Sequence, residues 1–311
     1  MKTDMDKQAK THDNNNPLYS DFSTWIRKKF PFRVQKISID AGFSCPNRDG
    51  KISFGGCSFC DNRTFNPSYC SSAKTITEQL EDGKAFFSRK YPAMKYLAYF
   101  QAYSNTYAPI EVLRERYEEA LRCPNIVGIV VGTRPDCVDD GVLDMLEKIS
   151  HEHYVMVEYG IESTNDETLA RIGRGHDFEC CKKAIVETAS RSIDTSGHVI
   201  LGLPGEDESE NIRQAETLSG LPLTALKIHQ LQIIKGTRLA REYEKHAFHV
   251  YSPDEYIRLI GEYIKHLNPS IVIERFASQS PSDMLIAPKW GLKNYELTNK
   301  IAKYLRENNI R

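Results

Sequence analysis

The sequence predicts an α/β fold whose parallel sheet curls into a barrel, closed or partial. Three observations lead there. Short runs rich in β-branched and aromatic residues alternate with amphipathic segments, the pattern of repeated strand–helix units. Polar side chains recur on one face of those strands, where an ordinary barrel would be filled with branched apolar ones, so the interior reads as an enclosed cavity. The 311 residues, 40% of them hydrophobic and 27% charged, suit one large domain or two modest ones and exclude a chain disordered throughout.

Taken in order, residues 1–16 are polar, contain an Asn run and read as a disordered leader. The core is expected over 17–276. Strand candidates fall at 36–40, 96–102, 126–132, 154–161, 197–203, 225–234 and 270–276. Helical patterns fall at 76–90, 109–121, 139–151, 165–190, 208–219 and 252–267, several starting at Asp, Ser, Thr or Asn caps. Residues 277–311 form a C-terminal extension whose last helix, YELTNKIAKYLREN, packs on the core. Within YVMVEYGIE, Val155, Val157, Tyr159 and Ile161 share one face and Glu158, Gly160 and Glu162 the other. The same alternation groups His198, Ile200 and Gly202, and puts Lys227 beside His229 on their strand. Gln101, Glu158, Glu162, His198, Lys227 and His229 are thus the expected polar interior.

With 41 basic against 42 acidic residues, the net charge of −1 excludes a globally basic nucleic-acid coat and an acidic tail protein. No stretch reaches the roughly 18 apolar residues of a membrane span, and MKTDMDKQAKTHDNNN has no apolar signal-peptide core. A cytoplasmic protein without a membrane partner is expected, and its eight cysteines are expected to be reduced thiols.

Four of those cysteines, Cys45, Cys57, Cys60 and Cys70, fall within 26 residues. Cys45, Cys57 and Cys60 are separated by 11 and 2 residues in a glycine-rich loop directly after the first strand. A 4Fe-4S cluster usually has four cysteine ligands; three leave one iron open to bind a small molecule. Gly42, Gly50, Gly55 and Gly56 let the backbone fold closely around an inorganic core. A structural zinc site with Cys70 as the fourth ligand is the competing reading. Cys180 and Cys181 diverge around their helix and read, like Cys123 and Cys137, as scattered thiols outside any site.

Seven passages carry a resemblance over residues 19–305: DAGFSCPNRDGKISFGGCSFC, YFQAYSNTYAP, VGTRPDC, VEYGIESTNDETLARIGRGH, HVILGLPGE, LKIHQLQIIKGT and APKWGLKN. They resemble the radical S-adenosylmethionine superfamily, and within it the YhcC/YtqA-like family, related to elongator-type and coproporphyrinogen-dehydrogenase-type members. The resemblance implies a partial (β/α)6-type radical SAM barrel with a C-terminal extension. It implies a 4Fe-4S cluster on Cys45, Cys57 and Cys60; the usual superfamily spacing is 3 and 2, but the longer first gap is similar to this family's. It also implies S-adenosylmethionine on the open iron, cleaved on reduction to a 5'-deoxyadenosyl radical, with a reducing partner such as flavodoxin or ferredoxin.

Residue by residue, the resemblance puts Phe59 beside the adenine and the stretch holding Gln101, Ser104, Asn105 and Thr106 at the methionine amine. Arg174 looks like the arginine that meets the methionyl carboxylate. Glu162 stands where relatives commonly have a ribose-contacting Gln, and Gly132 where some have a ribose-binding acid, so Glu158 or Glu162 would carry that contact. Gly202 and Leu203 resemble the adenine-binding strand. A plainer reading of an inward Glu is an ion-pair partner for Arg174 or Lys227.

Elongator-type resemblance points to tRNA, with radical chemistry on the C5 substituent of a wobble uridine, for example carboxymethylaminomethyl remodelled towards aminomethyl. Lys227 and His229 would face the substrate and transfer protons. From Trp25 to Ser38 there are five basic residues and no acid, and from Lys289 to Arg311 six basic and two acidic, with Trp25, Phe30, Phe32 and Trp290 among them. Such mixtures seat phosphates and stack bases, or are solvated helix faces. Two alternatives stay open: the same radical core on a small molecule or peptide, and a zinc-stabilised RNA-binding module without catalysis.

Overall fold

Seven strands pair in parallel in the order β1-β2-β3-β4-β5-β6-β8. They are β1 (Val34–Ile39), β2 (Lys95–Phe100), β3 (Ile126–Thr133), β4 (Tyr154–Glu162), β5 (Asp194–Leu201), β6 (Ala225–Gln230) and β8 (Val272–Arg275). The computed structural model describes residues 18–64, 66–88, 93–246 and 248–310, so the expected leader over 1–16 lies outside the described residues. All seven strand candidates of the sequence enter this sheet. Between successive strands run α2 (Ile76–Ser88), α3 (Ile110–Arg122), α4 (Asp140–Ser150), the pair α5 (Asp166–Arg171) and α6 (Phe178–Ser190), then α7 (Glu208–Ser219), and finally α8 (Arg238–Lys245) and α9 (Pro253–His266). The caps are those the sequence offers: Asp139, Asp177 and Asp207 each accept from the third residue on, and Ser252 with Glu255 forms a full capping box.

Two expected elements divide. The helix expected over 165–190 breaks into α5 and α6 because Gly173 and Gly175 adopt left-handed φ of +71° and +76°. A Cβ on Gly175 would lie 2.7 Å from Ile52 Cγ2, so the turn also needs a bare backbone against the cysteine loop. The strand expected over 225–234 stops at Gln230, whose amide accepts from Ser278 N (3.0 Å) and donates to Ser278 O (2.8 Å). Beyond it, β7 (Ile233–Ile234) turns away to pair antiparallel with β9 (Leu285–Ala287). The last helix, α10 (Asn294–Glu307), packs on α9, where Gly261 leaves space that a Cβ would contest with Tyr304 at 2.6 Å.

One helix was not visible as a pattern. α1 (Phe22–Lys29) has eight residues, capped by Asp21, with Arg27, Lys28 and Lys29 in its last turn, where they suit the helix dipole. Its buried Ile26 meets Leu97, Tyr99, Val130, Met156, Ala225 and Val272, the apolar lower layer of the barrel interior. α1 therefore plugs the end of the barrel where the strands begin.

This placement dissolves the basic run as one surface patch. Lys36 turns into the barrel, Lys29 pairs with Asp194 and lies 4.6 Å over the Trp25 ring, and Lys95 covers Phe32 at 4.3 Å. Trp290 packs on Tyr256 and donates to Tyr251 O (2.9 Å), so it offers no free stacking face there.

The strands β1 and β8 are the sheet's two edges, and the barrel is partial. Side chains close the seam between them: Lys36 Nζ on β1 bonds both oxygens of Glu274 on β8 (2.7 and 2.8 Å) and Glu158 Oε1 on β4 (2.6 Å). Lys36→Met leaves two buried carboxylates short of a cation and is expected to cost about 3 kcal/mol of stability. Urea unfolding measures this; a loss below about 1 kcal/mol, the scale of an exposed pair, would show that the seam holds without it.

Candidate active site

Above the apolar layer the barrel interior becomes ionic. Lys227 on β6 bonds Glu158 Oε2 (2.5 Å), Glu274 Oε1 (3.2 Å) and the Tyr99 hydroxyl (3.1 Å), and His198 Nε2 meets Glu158 Oε2 at 3.0 Å. Lys36, Lys227, Glu158 and Glu274 thus form a charge-balanced quartet in which each acid touches both lysines. Burial opposes ionisation of the acids, but Lys227 and Lys36 more than offset it and hold Glu158 well below the usual carboxylate range, with Glu274 lowered for the same reason. Burial pushes Lys227 down to about 8 and, with Lys227 beside it, His198 down to about 4. Burial and Arg275 push His229 well below 6.5. Geometry agrees: Arg275 Nε donates to His229 Nε2 (2.9 Å), which must be the unprotonated nitrogen because a guanidinium only donates.

The opposite wall carries the cysteines. Cys45, Cys57 and Cys60 line one cavity at the strands' C-terminal ends, together with Arg48, Phe59, Gln101, Ser104, Gly132, Glu158, Glu162, Arg174, His198 and His229. Asn47 Nδ2 lies 3.3 Å and Arg174 Nη1 3.5 Å from Cys57 Sγ, two donors that favour a thiolate. Burial and the neighbouring Cys57 push the Cys60 thiol up to about 12, so an electrophilic ligand is what would hold it deprotonated. Two buried donors, Arg48 Nη1 and Arg174 Nε, have no hydrogen-bond partner among the described residues.

Arg174 is held from several sides. Its Nη2 donates to Gly160 O, and its own carbonyl accepts from Asn47 Nδ2 (3.0 Å) and Arg134 Nη2 (2.7 Å). Asp136 in turn fixes Arg134 by a two-pronged pair (2.6 and 2.8 Å). A Cβ on Gly160 would lie 2.7 Å from both Arg174 Nη2 and Glu162 Oε1, so the guanidinium packs on bare backbone. The register of β4 against β5 slips between Gly160 and Glu162, and Glu162 takes φ +67°, a strained conformation for a side chain of its kind. Burial raises the Glu162 carboxyl, and Arg174 (3.8 Å) works against that shift.

Not every expected position reaches the cavity. Asn105 is wholly buried, its amide bonded to Phe100 O and Gly132 O, and Thr106 bonds Thr133 Oγ1 and Cys137 O; both shape the loop from behind. Gly202 sits under Tyr251 and Leu203 in the hydrophobic core, and neither lines the cavity. Glu158 reaches it with both oxygens already engaged, the plainer reading of an inward acid. Lys227 lies in the floor and lines a second groove, along the seam, rather than the cysteine cavity. Cys70 is buried in the hydrophobic core away from the other three thiols, and among the described residues no three His, Cys, Asp or Glu gather around a single-ion site. The four-cysteine zinc reading is corrected on that ground.

Tyr99, Arg134 and Arg275 were not singled out in the sequence. Arg134 lies within the VGTRPDC passage, which was signal enough to find it. Arg275 had none: alternation along β8 puts Glu274 inward and Arg275 outward. The register of β6 against β8 slips after Leu226, so that Ile273 pairs with Leu226 but Arg275 with Lys227. That bulge turns two consecutive side chains to the inside.

Comparison with known proteins agrees with this fold. Residues 46–216 match the radical SAM superfamily and residues 223–307 the radical SAM C-terminal domain. The chain is 34% identical to the uncharacterized protein YtqA of Bacillus subtilis over 94% of its own length and 91% of that protein. It is 25% identical to a tRNA uridine(34) acetyltransferase of Methanocaldococcus infernus over 60% of this chain and 34% of that one. The solved archaeal Elp3 of Methanocaldococcus infernus, lacking residues 1–46, superposes with a TM-score of 0.66 at 18% identity, covering 89% of this chain and 64% of that one.

The depressed His198 makes the floor acid-sensitive. An unfolded His takes its proton near 6.5 and His198 only near 4, so the stability it contributes is full above pH 6.5 and is lost as pH falls to about 4. The contribution of Glu158, lowered from 4.5, is lost in turn below that value. Between pH 7 and 4 the unfolding free energy of wild type is expected to fall more steeply than that of His198→Gln. Equal slopes would show that His198 is not buried as a neutral ring.

Proposed function

Because the chain belongs to the radical SAM superfamily, whose members bind a 4Fe-4S cluster and S-adenosylmethionine, we propose that Cys45, Cys57 and Cys60 hold the cluster and that the enzyme acts on tRNA. The convergence of the three thiols with two arginines that each keep a buried nitrogen without a hydrogen-bond partner among the described residues, at one wall of a polar cavity, carries this reading. A cluster held there would supply the electron that breaks the C5'–S bond of S-adenosylmethionine, releasing methionine and leaving the 5'-deoxyadenosyl group to take a hydrogen atom from substrate.

The chain's own residues divide the remaining work. Asn47 and Arg174 stabilise the Cys57 thiolate. Arg174 Nε, a buried donor without a partner among the described residues, suits the methionyl carboxylate. Glu162 would offer acceptor oxygens to the ribose diol, Phe59 would flank the adenine, and Gln101 and Ser104, which line the same cavity, would meet the methionine amine. Asn105, Thr106, Gly202 and Leu203 act as supports of that cradle. The plug of α1 and the ionic floor keep bulk water from one end of the cavity, where a radical would otherwise be quenched. The neutral His229 lines the cavity and is able to move a proton at the substrate, while Lys227, with its proton held less tightly than an ordinary lysine's, stands behind it in the floor as a further proton source.

Support for tRNA comes from the rim and from a relative. Phe54 is 78% exposed on the cysteine loop, beside Arg48 stacked over Tyr103 (5.7 Å) and Lys51 over Tyr107 (5.2 Å), a mixture suited to unpaired bases and phosphates. The similarity to a protein named for tRNA uridine(34) directs attention to the wobble uridine and its C5 substituent, with remodelling of carboxymethylaminomethyl towards aminomethyl as the example reaction. A reducing partner such as flavodoxin or ferredoxin completes the electron supply. Dispersal of the basic run over the plug, the interior and separate ion pairs favours the second reading, a small molecule or peptide as substrate.

Anaerobic protein with reconstituted cluster is expected to form 5'-deoxyadenosine with dithionite, Cys57→Ala to fall to background, and bulk tRNA to stimulate wild type. Cleavage indifferent to tRNA would transfer the substrate to the small-molecule or peptide class.

A further inference from the structure

Among the cations of the barrel interior, Arg275 stands apart. Lys36 and Lys227 are neutralised by Glu158 and Glu274, Arg174 faces Glu162, and Arg134 is paired with Asp136. Arg275 is half-buried and touches no carboxylate among the described residues; its one protein hydrogen bond there is to the neutral His229 ring. Around it are Lys227, the tilted rings of His198 and His229 (5.7 Å between centroids), and the acids Glu158 and Glu274, whose charge the two lysines already take up. A guanidinium in such surroundings is costly unless an anion meets it.

Backbone geometry shows that this exposure is built. The slip in register after Leu226 turns Arg275 inward beside Glu274, where a regular strand would have sent it to the helix layer. From there Arg275 lines both the cysteine cavity and the seam groove, with Tyr99, Gln101, Thr64 and Ser278 as the other shared walls. It therefore stands at the passage between the place of reaction and the open side of the barrel.

We infer that Arg275 receives an anionic oxygen group of the substrate, a carboxylate or a phosphate, and so positions the substrate against the cysteine wall. A bidentate contact through the guanidinium edge left free by His229 fits either group. This rests on the reading of the cysteine cavity as the place of reaction, and adds that the substrate carries negative charge close to the reacting carbon.

The test uses holoenzyme with reconstituted cluster in wild-type, Arg275→Met and Arg275→Lys forms. Affinity for S-adenosylmethionine is expected to be unchanged in all three, while binding of bulk tRNA from cells lacking this gene weakens about tenfold in Arg275→Met and partly recovers in Arg275→Lys. Capping the carboxylates of that tRNA with methylamine and carbodiimide separates the sources: wild type reduced to the level of Arg275→Met identifies a carboxylate, and wild type unaffected by capping identifies a phosphate. Acetate and inorganic phosphate serve as probes that do not depend on tRNA, and at least one is expected to slow phenylglyoxal labelling of Arg275. Protection by an anion without any tRNA binding by wild type would sustain the anion site and remove tRNA as its source. Unprotected Arg275, wild-type tRNA binding by Arg275→Met, or loss of S-adenosylmethionine affinity in that variant would overturn the proposal.

Discussion

The bridge that Lys36 makes from one edge of the sheet to Glu158 and Glu274 is the contact on which the barrel depends. Backbone hydrogen bonds hold every neighbouring pair of strands from β1 to β6 and then β8, and beyond β8 only the single Asp21–Ile273 bridge continues among the described residues, with no backbone pairing between β8 and β1. A flexible lysine can span a seam that two strand backbones do not close, and it can do so only if carboxylates on the far side compensate its burial. Glu274 supplies the far edge and Glu158 the middle of the sheet, while Lys227 returns the charge balance to zero. A network satisfied in this way is specific in geometry, whereas one missing a member would leave an uncompensated charge in a place of low dielectric.

The same quartet explains why a cavity exists. An ordinary parallel barrel fills its interior with layers of branched apolar side chains. Here one such layer is present at the bottom, contributed by Leu97, Val130, Met156, Ala225 and Val272 and sealed by Ile26 of α1. The ionic layer above it replaces apolar filling, and over that layer glycines at 132 and 160 take the place of side chains. Apolar plug, ionic floor and glycine-lined chamber follow one another along strands that are continuous in sequence.

Much of this was legible because alternation along a strand is a geometric necessity. Glu158, His198, Lys227 and His229 were placed on inner faces by counting in twos, and the spacing of Cys45, Cys57 and Cys60 marked the loop that meets them. What escaped did so for physical reasons. α1 is too short to show a helical period and gains its place by burying one face in the barrel. The helix expected over 165–190 was divided by left-handed glycines whose role is the turn that delivers Arg174. Arg275 was hidden because a bulge reverses the parity of the strand at that residue, and no local pattern announces a bulge. Asn105 and Thr106 carried polar side chains that suggested ligand contact, yet the ends of β2 and β3 and the turn after β3 engage them.

The electrostatics of the chamber follow from this division. At the cysteine wall the cations are held by backbone carbonyls and by acids that leave donors over, so that wall accepts negative ligands. At the floor, burial strips charge from His198 and His229, and the quartet cancels internally. A neutral ring accepting from Arg275 leaves that guanidinium charged and unshielded, which an imidazolium in the same place could not do without repulsion. The neutrality of the histidines is thus a condition for Arg275 to present its full charge, and the burial that enforces it comes from the same seam that closes the barrel. One structural requirement, joining two edges that do not pair with each other by means of buried ions, thereby fixes both the shape of the chamber and the sign of the group it can receive.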